Sequence, residues 1–256
     1  MSSLKFSVVI PTCERPEYLR EALNSVLKQT LQAYEIIIVD NGYKPVNVAG
    51  LPNNKSIQVI RALPRFGVAQ ARNLGVVFST GDYIAFLDDD DSWDENYLHE
   101  VSVVANTSDA DIILTRLRDK TAGEPISGKQ ASFSDENDLK RKILRHNPGA
   151  GGSNTIIKGA CLKASAGYDP FLTTNEDKAL ILDLLLKEAR AVRASEAWVD
   201  VRNDGKGPRL TDLKKRIEGS KRFYRTYKEE MTTGTRLLSK MQLVRLYLKL
   251  YFRRGQ

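Results

Sequence analysis

The fold is decided by residues 83–91, which read YIAFLDDDD. An apolar run of strand length is followed directly by four aspartates, and KFSVVIP at residues 5–11 and EIIIVD at residues 35–40 show a similar change from apolar to polar. Uninterrupted apolar runs are typical of strands that are covered on both faces of a parallel sheet. Ligands of such sheets bind at the carboxyl ends of the strands. The pattern therefore predicts an α/β fold with its polar chemistry at that edge.

Helices alternate with these strands along the first third of the chain. Apolar residues recur at helical spacing in residues 17–28 and 67–78, and SIQVIR at residues 56–61 indicates a further strand. This alternation is typical of a mainly parallel sheet. The turn-rich residues 116–133 predict no regular element. Later elements are predicted as helices at residues 94–105, 134–145 and 176–189 and as strands at residues 111–115 and 192–201.

Composition limits the class of protein. The chain has 256 residues, of which 41% are hydrophobic and 28% charged, which indicates a soluble globular protein and excludes collagens, disordered tails and membrane channels. Cys13 and Cys161 form no CxxC pair, so a disulfide framework and a zinc knuckle are not supported. They favour a reducing compartment. Because no signal peptide is evident in the first residues, we expect a cytoplasmic protein.

The net charge of +7 is unevenly distributed. Residues 206–256 contain 15 Lys and Arg against 4 Asp and Glu, whereas the remaining residues contain 24 against 28. The basic character therefore belongs to a C-terminal segment, and the body of the protein is mildly acidic. Such a segment suits an anionic partner, for which phospholipid, nucleic acid and plain solvation are the alternatives.

An amphipathic helix is predicted within this basic segment. Leu237, Met241, Val244, Leu248 and Tyr251 recur at 4-3-4-3 spacing, which places them on one face of a helix. Three uses of that apolar face remain open: packing on the body of the protein, dimerisation, and contact with an anionic membrane surface. Cationic residues occupy other directions on the helix: Arg236, Lys240, Arg245, Lys249, Arg253 and Arg254.

The aspartate run is the strongest chemical signal in the sequence. Residues 88–91 place four like charges at the end of a buried strand, where lower dielectric strengthens their repulsion. A bound cation would relieve that repulsion, and hard oxygen ligands suit magnesium, manganese or calcium. The run lacks the glycine and glutamate of a calcium EF-hand loop. The alternative is a solvated acidic loop without a metal.

Four segments in this order resemble the GT-A glycosyltransferases of the inverting family 2: VVIPTCERPEYLREALNSVLKQT at residues 8–30, EIIIVDNG at 35–42, GVAQARNLGVVFSTGDYIAFLDDDD at 67–91 and NED at 175–177. The resemblance implies a nucleotide-sugar-dependent transferase with a Rossmann-like, mixed but mostly parallel sheet flanked by helices. It also implies a GT-A catalytic domain at residues 1–205, with a nucleotide-binding half at 1–115 and an acceptor-binding half at 116–205. The helical basic extension at 206–256 follows.

The resemblance assigns roles at the acidic run and on the nucleotide. Asp90 resembles the last aspartate of the family's DxD motif, which holds Mn²⁺ or Mg²⁺, and Asp88 and Asp89 either lie near the ribose or support the residues that bind the ligand. Asp40 resembles the residue that accepts the ring N–H of uracil, which implies a UDP-sugar donor. Arg72 resembles the arginine near the base and diphosphate. The alternatives are a turn-forming role for Asp40 and a surface position for Arg72.

The nucleotide loop and the general base follow from the same resemblance. Pro11, Thr12 and Glu14 match the opening nucleotide-binding loop, but Cys13 stands where many relatives carry a tyrosine that stacks on the base. Asp177 resembles the general base that deprotonates the acceptor hydroxyl in the inverting reaction. Its alternative role is to stabilise the N-terminus of a helix.

The resemblance further implies a glycan or lipid-linked glycan acceptor in polysaccharide or lipopolysaccharide biosynthesis, with an enzyme at the inner face of the membrane. The loop at residues 149–154 matches the region that shapes the sugar or acceptor pocket, although its glycines suit turn geometry alone. A nucleotidyltransferase remains an alternative, but residues 11–16 lack a glycine-rich phosphate loop with a lysine. A non-enzymatic nucleic-acid-binding protein is a weaker alternative because the body is acidic, so no nucleic-acid partner is expected.

Overall fold

The computed structural model describes residues 4–47, 56–128, 130, 132–202 and 213–253. The strands are β1 (Phe6–Thr12), β2 (Glu35–Asp40), β3 (Ile57–Arg61), β4 (Tyr83–Phe86), β5 (Ser92–Trp93), β6 (Ile112–Asp119), β7 (Thr155–Lys158) and β8 (Ala191–Val201). The helices are α1 (Pro16–Leu27), α2 (Val68–Phe78), α3 (Tyr97–Ser108), α4 (Glu136–Arg145), α5 (Gly159–Lys163), α6 (Glu176–Leu186), α7 (Leu213–Tyr227) and α8 (Thr233–Arg253).

The eight described strands form one mixed sheet in the order β3-β2-β1-β4-β7-β6-β8-β5. Strands β3, β2, β1 and β4 pair in parallel, as do β6 and β8, whereas β7 runs antiparallel to both of its neighbours. The mostly parallel α/β sheet that the sequence predicts is therefore confirmed. The crossovers between the first parallel strands are α1 and α2, in agreement with the helical spacing of their sequences.

The apolar strands are buried on both faces. Val8 and Val9 point to opposite faces of β1, yet both are fully buried, because one packs in a cluster with α1 and α3 and the other in a cluster with α2, α4 and α6. Strand β2 is covered in the same way along its whole length. The uninterrupted apolar runs in the sequence thus reflect a sheet between two helical layers.

The parallel register brings the polar strand ends together. Thr12 at the end of β1 lies opposite Asp40 at the end of β2. On the other side of β1, Val9 pairs with Phe86, and the N–H of Leu87 donates to the carbonyl of Val9 at 3.0 Å. The aspartate run therefore begins beside the carboxyl end of β1, where α/β sheets bind ligands.

The sequence pattern missed β7 and α5, and it also missed two features that involve β8. Strand β6 continues to Asp119, into the turn-rich segment for which no element was predicted. The two residues of β5 pair with Asp200 and Val199 of β8, and consequently α3 begins at Tyr97 instead of Asp94. Both features depend on pairing with β8, far away in the sequence, and local periodicity carries no signal for such pairing.

The two C-terminal helices are connected to the body. Phe223 and Tyr227 of α7 and the adjoining Met231 are buried in the same core cluster as α6, and the Tyr227 hydroxyl donates to Asp183 Oδ1 at 2.9 Å. Helix α8 in turn contacts α7 and α4. The expected boundary at 205/206 lies outside the described residues, as does Arg254. Among the described helices, none has the length and apolar character needed to cross a bilayer.

A close approach of α2 to β1 gives a first prediction. A Cβ at Gly75 would overlap the side chain of Val9, whereas a Cβ at Gly234 in α8 would meet no described atom within 4 Å. Gly75→Ala should lower the free energy of unfolding by about 1–3 kcal/mol through overpacking, despite the better helix propensity of alanine. The matched control Gly234→Ala should leave it unchanged or raise it by up to about 1 kcal/mol. Urea unfolding measures both, and equal stabilities would contradict the close approach.

Candidate active site

Arg72 lies at the centre of the candidate site. Its side chain is 2% exposed on α2, with Nη2 2.7 Å from Asp88 Oδ1 and Nη1 2.9 Å from Asp177 Oδ1 and 3.3 Å from Glu176 Oε1. Its Cζ atom lies 5.2 Å from the ring centroid of Tyr168. The alternative of a surface arginine is therefore excluded. The guanidinium joins the acidic run to the start of α6, two segments that the sequence separates widely.

Asp177 occupies the first turn of α6, where the helix dipole favours a carboxylate. The preceding Asn175 has φ +71°, a left-handed conformation that asparagine tolerates. Burial raises the pKa of Asp177 to about 8; Glu176 and Asp88 also raise it, whereas the Arg72 guanidinium opposes the shift. Three carboxylates share one guanidinium, so their mutual repulsion favours the protonated form of one of them. The group is a stronger base than an ordinary aspartate.

The acidic run can supply a cation site. Asp88, Asp90 and Asp91 each offer one carboxylate oxygen, and these oxygens lie within 4.8 Å of one another. Such a donor set fits a hard divalent cation such as Mg²⁺ or Mn²⁺. Asp91 Oδ2 accepts a hydrogen bond from Ser153 Oγ at 2.5 Å. The sequence gives no sign of this role for Asp91, because position in a run of four does not show which side chains converge.

Asp89 faces a different set of partners. It is fully buried, accepts a hydrogen bond from Thr12 Oγ1 at 2.6 Å and forms a salt bridge with Arg15. Arg15 Nη1 also lies 2.8 Å from Asp90 Oδ2. Burial raises the pKa of Asp89 to about 6, against the opposing effect of Arg15. The sequence does not single out Arg15 as a site residue. The only indication of its role is that this cationic residue lies in the same loop as Thr12.

Asp40 organises the loop that follows β2. It is 1% exposed; Oδ1 accepts the N–H of Gly42 at 3.0 Å, and Oδ2 accepts the N–H of Val46 at 2.8 Å and Arg61 Nη1 at 2.5 Å. This geometry supports the turn-forming alternative. A carboxylate oxygen has two lone pairs, so Oδ1 retains capacity for a further donor.

The opening loop of β1 lies against this turn. Glu14 Oε1 accepts the N–H groups of Tyr43 and Lys44 at 3.1 and 3.3 Å, while Pro11 and Thr12 are buried as the last residues of β1. Cys13 is half-buried, with Sγ 3.8 Å from the carbonyl oxygen of Asn41. The expected nucleotide-loop residues are thus adjacent to the Asp40 turn.

The loop at residues 149–154, here called the glycine-rich loop, packs directly on Arg72. The carbonyl of Ser153 accepts Trp93 Nε1 at 3.0 Å and the Tyr97 hydroxyl at 3.3 Å, which fixes the loop from one side. On the other side, a Cβ at Gly152 would overlap the Arg72 guanidinium. Gly152 is therefore required for close approach, and not for a left-handed turn.

A sequence model described as glycosyl transferase family 2 matches residues 7–163, more than half of the chain. The chain belongs to this family. The matched residues include the ends of β1, β2 and β4, Arg72 and the glycine-rich loop, whereas α6 with Asp177 lies beyond the match.

Two named relatives of this family-2 chain are glycosyltransferases. GlyG of Streptococcus pneumoniae is 34% identical over 118 residues, which are 44% of this chain and 39% of GlyG. The amylovoran biosynthesis glycosyltransferase AmsB of Erwinia amylovora is 31% identical over 106 residues, which are 39% of this chain and 35% of AmsB. The chain therefore spans less than half the length of either relative.

Solved structures share the fold at low sequence identity. The fragment 1-349 of S. aureus TarS in complex with UDP-GlcNAc has a TM-score of 0.66 at 19% identity, covering 87% of this chain and 66% of that fragment. A mannosyltransferase of Pyrobaculum calidifontis in complex with GDP-Man and Mn²⁺ has a TM-score of 0.66 at 14% identity, covering 94% and 70%. This likeness confirms the GT-A fold expected from the sequence.

The contact between Gly152 and Arg72 gives a second prediction. Gly152→Ala should displace the guanidinium and lower sugar-nucleotide turnover by about 10–100-fold, because small displacements in a site are costly. In the neighbouring control Gly151→Ala, the nearest described atom to the new Cβ is Asn154 Oδ1 at 3.3 Å. That variant should retain most of the turnover, measured as released nucleotide. Equal activities would show that the loop moves aside without consequence.

Proposed function

We propose that this protein is an inverting glycosyltransferase that moves a sugar from a UDP-sugar to a hydroxyl of a glycan or lipid-linked glycan. The observation that supports the proposal most is the buried Arg72, whose guanidinium contacts Asp88 of the acidic run and Asp177 of α6. A leaving group at the acidic run and a base at Asp177 would then lie on two sides of one fixed cation. Membership of glycosyl transferase family 2 supports glycosyl transfer as the reaction.

The donor would bind at the carboxyl edge of β1, β2 and β4. Pro11, Thr12 and Glu14 would line the nucleotide loop, and the free lone pair of Asp40 Oδ1 would accept the ring N–H of uracil. A carboxylate at that place would repel the unprotonated ring nitrogen of cytosine, which favours UDP over CDP. Asp88 would lie near the ribose and Arg72 near the diphosphate, while the buried Asp89 would support the loop by holding Thr12 and Arg15.

Asp90, with Asp88 and Asp91 beside it, would hold Mn²⁺ or Mg²⁺. When bound, the divalent cation supplies positive charge that stabilises the diphosphate leaving group. Arg72 adds a fixed positive charge on the protein side. The mannosyltransferase of the same fold was solved with Mn²⁺, and TarS with UDP-GlcNAc, which supports a metal and a nucleotide sugar as ligands of this fold.

Asp177 would act as the general base. Inversion requires a base on the side of the sugar opposite the leaving diphosphate, within hydrogen-bond reach of the acceptor hydroxyl. The raised pKa of Asp177 makes the carboxylate a better proton acceptor than an ordinary aspartate. The Arg72 guanidinium, which also contacts Glu176, holds the Asp177 carboxylate in position by charge. The positive end of α6 stabilises the ionised form that the reaction needs.

Removing the base gives a third prediction. Asp177→Asn keeps the shape but cannot accept the proton, so kcat should fall by about 10²–10⁴-fold. The control Asp183→Asn changes the same side chain farther along α6, where Asp183 accepts the Tyr227 hydroxyl, and should retain near-normal kcat. The assay is the release of UDP at saturating donor and acceptor.

The pH profile of the wild type tests the same role. Because the base must be ionised, kcat/KM should rise with pH and level off above an apparent pKa well above the value of about 4 for an ordinary aspartate. Activity is lost as the pH falls through this value. A profile that is flat from pH 5 upward, or full turnover by Asp177→Asn, would reject Asp177 as the base.

Metal-dependent donor binding gives a fourth prediction. UDP with Mn²⁺ should raise the melting temperature of the wild type more than dTDP or GDP does, because a ligand of the native state stabilises it. Asp90→Asn should lose most of that shift and weaken Mn²⁺ binding in electron paramagnetic resonance titrations. The control Asp82→Asn lies at the opposite end of β4 and should behave like the wild type. A shift by UDP that is unaffected by Mn²⁺ and by Asp90→Asn would contradict the metal role.

The acceptor side and the location complete the proposal. The nucleotide-binding half at residues 1–115 and the acceptor-binding half at 116–205 would meet at Arg72. The relative AmsB is named for amylovoran biosynthesis, which supports a role in polysaccharide biosynthesis. We place the protein in the cytoplasm, at the inner face of the membrane, where lipid-linked acceptors are extended.

A further inference from the structure

Helix α8 presents an apolar stripe to solvent. Leu237, Met241, Val244, Leu248 and Tyr251 are each between 52% and 73% exposed. With about 100° of rotation per residue, these five side chains lie within an arc of about 80°. Five large apolar residues in one contiguous exposed stripe exceed the scattered apolar residues normal for a surface.

The stripe does not attach the helix to the protein. Leu243, Leu246 and Leu250 lie on the opposite side of α8 and are half-buried, on the helix that contacts α7 and α4. The face that the 4-3-4-3 spacing singled out is therefore not the packed face. Within the described part of the chain, packing on the body of the protein does not account for the exposed stripe.

The charges beside the stripe identify its partner. Lys240 borders it on one side and Arg245 and Lys249 on the other, and none of the three forms a salt bridge with a residue that the structure describes. Residues 231–256 contain no Asp or Glu. Two copies meeting through the stripe would bring cations of one sign together, which opposes association. An anionic surface complements both the charges and the apolar side chains.

We infer that α8 lies flat on an anionic bilayer, with the stripe in the boundary between headgroups and acyl chains and with Lys240, Arg245 and Lys249 at the lipid phosphates. Tyr251 and the neighbouring Phe252, which is 68% exposed, supply aromatic rings suited to that boundary. The occupant is thus a membrane surface containing acidic lipids.

The connection to the body would orient the active site on the membrane. Helix α8 rests on α7, and α7 is anchored to α6 through Phe223 and the hydrogen bond from Tyr227 to Asp183. Asp177 lies at the start of the same α6. The biological role of this contact rests on the proposed function, since a lipid-linked acceptor is located at a membrane. Binding to the bilayer itself does not depend on enzymatic activity.

The test is co-sedimentation of the full chain with phosphatidylcholine vesicles, with and without phosphatidylglycerol. The wild type should bind the anionic vesicles, bind neutral ones weakly, and dissociate as salt rises because salt screens the attraction. Met241→Glu with Leu248→Glu should weaken binding by about ten-fold or more, since charges in the stripe oppose insertion. The control places the same change on exposed valines of other helices, Val77→Glu with Val103→Glu, and should bind normally.

A triple variant and a matched triple control test the contribution of the cationic side chains. Lys240→Gln, Arg245→Gln and Lys249→Gln together should weaken binding to anionic vesicles by about ten-fold or more, as juxtamembrane cations each contribute. A control removes the same total charge at exposed sites elsewhere: Lys28→Gln, Lys187→Gln and Arg190→Gln. An equal loss of vesicle binding in the two triple variants would show that net charge alone explains the binding, and it would overturn the inference.

Other outcomes separate this inference from the enzyme proposal. Failure of the wild type to bind anionic vesicles overturns it, as does a dimer in sedimentation velocity that Met241→Glu with Leu248→Glu dissociates, which assigns the stripe to a second copy. The stripe variants should retain the stabilisation by UDP and Mn²⁺. Vesicle binding without any nucleotide binding would reject the proposed enzyme and leave the membrane surface in place.

Discussion

A single buried guanidinium, that of Arg72, balances the charges on which the candidate site depends. Asp88, Glu176 and Asp177 come from two distant segments and meet around it. In a buried environment their attraction to the cation and their mutual repulsion are both strong, so the arrangement is stable only as a whole. The end of β4 and the start of α6 are therefore held in fixed relation, which sets the distance between the acidic run and Asp177.

The position of that guanidinium is set by packing. Gly75 lies one helical turn after Arg72 and lets α2 approach Val9 of β1, while Gly152 lets the glycine-rich loop reach the guanidinium itself. Ser153 connects that loop to Asp91 of the acidic run. Core packing and site electrostatics thus share the same short segments, and a change in backbone spacing at either glycine would alter the charge arrangement.

The C-terminal helices extend this coupling outward. The buried aromatic side chains of α7, Phe223 and Tyr227, attach it to α6, and α8 adds a layer whose outward side is apolar and cationic. A transferase that acts at a bilayer must hold both its donor site and its acceptor site at a defined distance from the membrane surface. A helix pair packed on α6, the helix that begins with the proposed base, would provide that geometry without a membrane-crossing segment among the described residues.

The sequence by itself determined the α/β class, the order of strands and helices through β4, and the acidic run at a strand end, because apolar periodicity and adjacent charge are local properties. It also singled out Arg72 and Asp177, through a family resemblance. Only the tertiary structure decided that Asp91 joins Asp88 and Asp90, that Arg15 pairs with Asp89, and that the carboxylate of Asp40 is engaged by its own loop. Periodicity placed the α8 stripe on one face but not on the solvent side, because α8 carries two apolar faces and only its neighbours decide which one is buried.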